Sequence, residues 1–169
     1  MNDEITLLAE PALFKGLSRE QIRKLMNITH RVSFKEGDVI MKEGDIGHHM
    51  YIIHDGTVEV VKSLVLEGMD DDDAERGKVF TRLSADDHAV FGEIALLEES
   101  KRTATIRART DCVLLEISKD EFLLLAEKDF ELGYRVLLNL SRIVSARLRK
   151  ADEDTIKLTT ALSIILKEV

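Results

Sequence analysis

Cysteine occurs once in this 169-residue chain, proline once and tryptophan not at all, and aromatic residues make up only 5%. The single thiol, Cys112, has no internal partner for a disulfide and suits a reducing compartment. No apolar run approaches the ~20 residues that cross a bilayer. The start, Met1-Asn2-Asp3-Glu4, lacks the basic and apolar regions of a secretion signal. A cytoplasmic protein without membrane association is therefore expected. Positive charge is also scarce: 24 Lys and Arg face 32 Asp and Glu, a net charge of −8 at pH 7. That balance excludes a broad nucleic-acid footprint, which depends on Lys and Arg neutralising phosphates. Any anion must be held by a local pocket.

What the chain does have is enough apolar character, 44%, for a core that needs no staple. At this length roughly 70% of the extended-chain surface is buried on folding. The N-terminal stretch to Asn27 reads as short helices, with Ser18 and Gln21 spaced as a capping box ahead of Ile22, Leu25 and Met26. From Val32 to Ile117 the pattern becomes short β-rich runs separated by turns: Val32–Phe34, Val39–Met41, Met50–Ile53, Thr57–Val61, Val79–Leu83, Thr103–Ala108 and Cys112–Ile117. Close spacing punctuated by Gly and Asp predicts an antiparallel sandwich or barrel. The tetrapeptide Lys-Glu-Gly-Asp occurs twice, from Lys35 and from Lys42, so Gly37 and Gly44 mark two tight turns around a short strand. Gly56 after Asp55 marks a hairpin. The acidic run Asp70–Asp73 reads as a solvated hairpin tip, and its spacing does not match a calcium loop.

From Ser118 the period is helical. Ser118 and Glu121 form a second capping-box pair, and Asp129 caps a longer helix. In that helix Leu137, Leu140, Val144 and Leu148 form one stripe that the barrel or a second copy of the chain must cover. Ala151 to Val169 carries enough apolar residues for one more helix. The expected fold class is thus mainly β with flanking helices. The barrel region spans 1–128, and a dimerisation helix with a helical tail spans 129–169.

The segment most able to carry chemistry runs from Phe91 to Ala108. It reads as a strand end, a Gly turn, about two turns of helix, and an Arg at the mouth of the next strand. A helix starting at Gly92 or Glu93 offers unpaired N–H groups and the positive end of its dipole to an anion. Gly92 permits close backbone approach. Arg102 adds a planar fork able to take two phosphate oxygens, one such contact contributing about 1.5–3 kcal/mol. Glu93 would repel a phosphate but can accept a proton from a sugar hydroxyl, so the pair fits a ribose phosphate. Spacing alone leaves a second arrangement open, in which Glu93 caps its own helix and Arg102 pairs with Glu98 or Glu99.

Catalysis finds no support. His48 and His49 are adjacent and, on a strand, point to opposite faces, whereas a cupin-like metal site needs a His-x-His step; with His54 they read as polar strand-edge residues. Cys112 sits mid-strand among alternating hydrophobes, as inert core. No metal, cofactor or enzymatic activity is expected.

Phe91-Gly-Glu-Ile-Ala-Leu-Leu followed by Arg102-Thr-Ala resembles the phosphate-binding cassette of cyclic nucleotide-binding domains, the family that includes bacterial catabolite activator proteins. The resemblance extends upstream through Phe34, Gly37-Asp38, Gly44-Asp45, Tyr51-x-Ile53 and Gly56-x-Val58-x-Val60, and downstream through Leu115 to Phe122. It covers about residues 12 to 150 and implies an eight-stranded jelly-roll-like β-barrel, a double-stranded β-helix. It also implies that cyclic AMP or cyclic GMP is the ligand. Glu93 would bind the ribose 2′-OH and Arg102 the phosphate. The backbone at Gly92, Ile94 and Ala104 would complete the cradle, with the Thr103 hydroxyl near phosphate or base. The helix from Asp129 resembles the family's dimerisation helix, which implies a homodimer and leaves Arg147, Ala151 and Asp152 as neighbours of the base.

Two departures stand in the cassette: Ala85-Asp86-Asp87-His88 replaces a Gly-Asp turn, and Lys101 stands where a Pro often precedes the Arg. Transcription factors of the family continue into a helix-turn-helix, whereas this sequence stops at Val169. The expectation is therefore a sensor domain acting on a separate effector protein. The alternative is a domain of the same fold that has lost its ligand and serves as a dimerisation or docking module.

Overall fold

β3, His49–Asp55, is buried on both faces over Met50, Tyr51, Ile52 and Ile53, and that double burial sets out the layers. Successive side chains alternate across a strand. Met50 and Ile52 accordingly join Leu115, Ile117 and Val90 beneath the helices, while Tyr51 and Ile53 join Val58, Phe91, Ile106 and Leu114 between the two sheets. A computed structural model of the chain describes residues 12–62, 78–86 and 89–166. Within them, β1 (Thr29–Phe34), β8 (Cys112–Ser118), β3 and β6 (Val90–Phe91) form one sheet. β2 (Val39–Met41), β7 (Thr105–Ala108), β4 (Thr57–Lys62) and β5 (Lys78–Ser84) form the other, and the strands pair antiparallel in both. This is the expected mainly-β jelly roll with flanking helices. The acidic run Asp70–Asp73 lies outside the described residues.

The repeated Lys-Glu-Gly-Asp turns do one job twice. The Gly37 N–H donates to the Ala108 carbonyl and the Ala108 N–H to the Asp38 carbonyl, both at 2.9 Å. Seven residues on, the Gly44 N–H donates to the Arg102 carbonyl at 2.9 Å and the Arg102 N–H to the Asp45 carbonyl at 2.7 Å. The two turns, with Gly37 at φ 89° and Gly44 at φ 88°, thus clamp opposite ends of the segment that carries Arg102 into β7.

Helices cover the outer face of the β3 sheet. α1 (Arg19–Met26) opens with the expected capping box, the Ser18 hydroxyl accepting from the Gln21 N–H and the Gln21 side chain from the Ser18 N–H. α2 is a single turn, Ile94–Leu97, shorter than expected because Glu98 is already extended and returns the chain toward Arg102. α3 (Lys119–Lys128) starts where the Ser118 hydroxyl accepts from Glu121. α4 (Phe130–Ile165) is one uninterrupted helix of 36 residues, about 54 Å long. The sequence predicts a separate helix from Ala151, which the structure does not contain. The charged stretch around Asp152 and Glu153 contains no Gly or Pro, is exposed, and continues the helix rather than ending it. Strand limits shift as well: β1 begins at Thr29 instead of Val32, β3 ends at Asp55 instead of Ile53 and β7 begins at Thr105 instead of Thr103, while the other limits move by at most one residue.

The apolar stripe of α4 also divides. Leu140 is fully buried with Leu132 and Val136 against the core, whereas Leu137 is 37% and Leu148 62% exposed. Spacings of three and four residues fit either of two stripes on a helix this long. Asn139, buried among the first set, donates from Nδ2 to the carbonyls of Leu13 (2.9 Å) and Lys15 (2.8 Å) and ties α4 to the N-terminal turn. Among the described residues no helix is long and apolar enough to cross a membrane.

The α3–α4 junction rests on Asp129. Its carboxylate accepts from the Leu132 N–H at 3.1 Å and from Lys24 Nζ at 2.8 Å. The Lys24 hydrogen bond, then the Leu132 N–H, hold its pKa below the ordinary 3.8. A depressed carboxyl pKa adds stability that is present at neutral pH and lost as pH falls through the folded-state value. Urea midpoints measured from about pH 6 down to about pH 3 are expected to fall less steeply for Asp129→Asn than for the parent. Identical slopes would show that the junction does not carry this charge.

Candidate functional site

Arg102 leaves the second clamp turn with its backbone fixed and its side chain running back into the fold. Nη2 donates to the His49 carbonyl at 2.7 Å and Nη1 to the Gly92 carbonyl at 3.3 Å. The guanidinium is half-buried, and burial pulls its pKa below the ordinary arginine value while the Glu93 carboxylate opposes the shift. It nevertheless stays charged, since arginine does not lose its proton in proteins. Its partners are thus carbonyls at the start of β3 and the end of β6, neither of which supplies a full negative charge. The arrangement leaves a fixed, partly desolvated cation suited to an anion with two oxygens in one plane.

Space for that side chain is made by two glycines. A Cβ on Gly47 would lie 2.1 Å from Arg102 Nε and 2.2 Å from Cζ, an overlap no pair of atoms sustains. A Cβ on Gly92, which has φ 72°, would lie 2.8 Å from Nη1 and 3.1 Å from the His49 carbonyl. Gly92 stands out in the sequence because it precedes Glu93, whereas Gly47 was missed. Gly47 lies in the link between the second clamp turn and β3, with no motif around it.

Glu93 is the buried charged residue among the described ones, 6% exposed. It occupies the N-cap position of α2 but makes no side-chain capping bond, so the self-capping arrangement is not the one adopted. Nor does Arg102 turn to Glu98 or Glu99. Instead Arg147, 54 residues further on in α4, places Nη1 2.7 Å from Glu93 Oε1. Arg147 Nη2 also donates to the Val90 carbonyl. The sequence placed Arg147 among three neighbours of the base and carried no signal that it would find Glu93, because the contact joins elements remote in the chain.

The remaining cassette residues fall around this centre. Ile94 begins α2 directly after Glu93. Thr103 and Ala104 follow Arg102 in the bend before β7, Thr103 exposed and Ala104 buried at 7%. Tyr51 lies beneath, its ring stacked on Phe91 with centroids 5.2 Å apart. Burial first, and then Glu116, push the Tyr51 phenol well above its ordinary value of 10.0, so it stays neutral near Arg102. Among the described residues no three His, Cys, Asp or Glu converge as a metal cluster. His48 is exposed, His49 and His54 are half-buried, and Cys112 is buried at 2%.

The model of the cyclic nucleotide-binding domain matches residues 31–129. Over 117 residues the chain is 32% identical to the cAMP-dependent protein kinase regulatory subunit of Schizosaccharomyces pombe, covering 69% of this chain and 25% of that protein. It is 35% identical over 108 residues to cGMP-dependent protein kinase, isozyme 2, of Drosophila melanogaster, covering 64% of this chain and 8% of that one. The chain therefore spans a quarter or less of these curated relatives. Among solved structures, the Thermus thermophilus catabolite activator protein superposes with a TM-score of 0.71 at 28% identity, covering 88% of this chain and 63% of that one.

Gly47→Ala is expected to push the guanidinium off its two carbonyls while the barrel stays folded. The Arg102 side-chain N–H signals in a nitrogen-edited NMR spectrum should lose their protection from exchange with water. Unchanged, protected signals would show that Gly47 does not make this space.

Proposed function

Because the chain belongs to the cyclic nucleotide-binding domain family, we propose that it binds a 3′,5′-cyclic purine nucleotide at Arg102 and Glu93 and uses α4 to pass that state on as a homodimer. The observation that carries this reading is the Arg102 guanidinium, whose partners in the fold are carbonyls. A cyclic phosphate supplies the missing negative charge in a place where low polarity strengthens the attraction. Glu93 lies close enough to act on Arg102 electrostatically and is a carboxylate acceptor for a ribose 2′-OH. Gly92, Ile94 and Ala104 supply backbone to the cradle, and the exposed Thr103 offers its hydroxyl to the phosphate or base. Relatives named for cyclic AMP and for cyclic GMP support the ligand class without choosing between the two.

The outward face of α4 supports the second half of the proposal. Leu148, Leu158 and Leu162 are each more than half exposed, and a helix with uncovered leucines over this length needs a partner. A second copy of the chain offers the same face in return. Nucleotide entering beside Glu93, where Arg147 now sits, would alter how α4 rests on the barrel and so the dimer's arrangement. An effector protein reading that rearrangement completes the proposed role.

The Glu93–Arg147 pair also favours a second reading, in which the chain's own arginine permanently fills the acceptor and the domain serves only for dimerisation or docking. Thermal unfolding separates the two, because a ligand that binds only the folded state stabilises by RT ln(1 + [L]/Kd), about 2.7 kcal/mol at a hundredfold excess over Kd. Cyclic AMP or cyclic GMP is expected to raise the melting temperature of the parent. By calorimetry Arg102→Ala should weaken binding at least tenfold, about 1.4 kcal/mol, and Glu93→Gln should cost less, since an amide still accepts from a hydroxyl. No thermal shift with either nucleotide would favour the second reading.

A further inference from the structure

Apart from Ile156 and Ile164, the exposed large apolar residues of α4 follow a stricter rule than simple amphipathicity. Tyr134, Leu137, Leu148, Leu158, Leu162 and Ile165 are all at least 37% exposed. They fall on one register that steps alternately by three and four residues. The intermediate steps of that register hold Ser141, Val144, Ala151 and Thr155, small or β-branched side chains that let two helices approach. The alternation is the heptad seam of a two-stranded coiled coil, with Tyr134, Ser141, Leu148, Thr155 and Leu162 at the a positions. Of the residues that α4 buries against the barrel, Leu132 and Val136 lie on the side of the helix away from the seam, and Leu140, at a g position like Arg147, lies between them and it. The seam and the barrel contact are therefore compatible in one molecule.

This register gives Arg147 a second identity. It precedes Leu148 and so is a g position, flanking the seam, while Asp152 follows Ala151 and is an e position. Across a parallel seam the g residue of one helix meets the e residue of the next heptad on the other, five positions on. In such a dimer Arg147 would face Asp152 of the partner subunit, and by symmetry the pair would form twice. In the single chain the same Arg147 lies 2.7 Å from Glu93.

Resting on the nucleotide-binding reading above, we propose that Arg147 is exchanged between Glu93 of its own cassette and Asp152 of the partner subunit in a parallel, in-register α4 dimer. The exchange ties the site to the interface. Glu93, with its side chain 8% exposed, is costly to leave without a partner. The ribose 2′-OH takes over Glu93 as Arg147 crosses to the partner, so dimerisation and nucleotide binding each ease the other. Coupling of this kind is reciprocal, and at the usual 1–3 kcal/mol it amounts to about fivefold or more in either affinity.

Sedimentation velocity on the full chain tests this over a range of protein concentrations, alone, with cyclic AMP, with cyclic GMP and with 2′-deoxy cyclic AMP. The parent dimer is expected to tighten about fivefold or more with whichever ribonucleotide binds, and less than twofold with the 2′-deoxy analogue, which has no hydroxyl for Glu93. Asp152→Asn, a change on the exposed surface, should dimerise but respond to the ribonucleotide by less than twofold. Leu158→Asp should be monomeric. A full response in Asp152→Asn, an equal response to the 2′-deoxy analogue, or a dimeric Leu158→Asp would each overturn the exchange. Calorimetry of the nucleotide on the Leu158→Asp chain keeps the two readings apart: binding there upholds the nucleotide site whatever the dimer does, and its absence counts against the site itself.

Discussion

A guanidinium held half inside a β-barrel by backbone carbonyls carries a full charge that dipoles only partly balance. The rest of the cassette is arranged around keeping it there. The second clamp turn fixes the Arg102 backbone through two hydrogen bonds, and the Ile46–Lys101 bridge extends that pairing by a residue. Gly47 and Gly92 leave the volume that the side chain fills. The Tyr51–Phe91 stack forms the neighbouring wall of the core and remains uncharged. Each of these features is inexpensive alone. Together they hold a long, flexible side chain in one place, which in the proposed function lowers the ordering cost of binding an anion.

Glu93 and Arg147 add the link from this centre to the long helix. A buried carboxylate needs a partner, and the one it finds here comes from α4 instead of from its own loop. The barrel is thus joined to α4 at two kinds of contact. One is permanent and apolar, through Leu132, Val136 and Leu140 with the Asn139 amide. The other is ionic and open to competition by any group that hydrogen-bonds Glu93. In the proposed function, a change of partner at the second contact alters how α4 rests on the barrel while the first contact stays packed.

Much of this was legible in the chain. Capping at Ser18 and Asp129 depends on residues three apart, and positive φ at Gly37, Gly44 and Gly56 depends on single residues, so local sequence sufficed. The cassette residues from Gly92 to Arg102 were legible because they are contiguous and belong to a recognisable pattern. What escaped was non-local. Gly47 matters only because a side chain 55 residues later passes over it. The Glu93 partner was invisible for the same reason. The α4 stripe was misassigned because a step of three or four residues does not say which of two faces meets the barrel, and Leu140 and Leu137 went to different ones. The continuation of α4 past Ala151 was hidden by charge, which marks exposure and not a helix end.

The most direct measurement is a crystal structure of the chain grown with cyclic AMP, and separately with cyclic GMP. The expected result is a cyclic phosphate hydrogen-bonded to the Arg102 guanidinium beside Gly92, with the ribose 2′-OH on Glu93 in place of Arg147. Crystals grown at saturating nucleotide in which Arg102 still donates only to the carbonyls of His49 and Gly92, and Arg147 still holds Glu93, would contradict it.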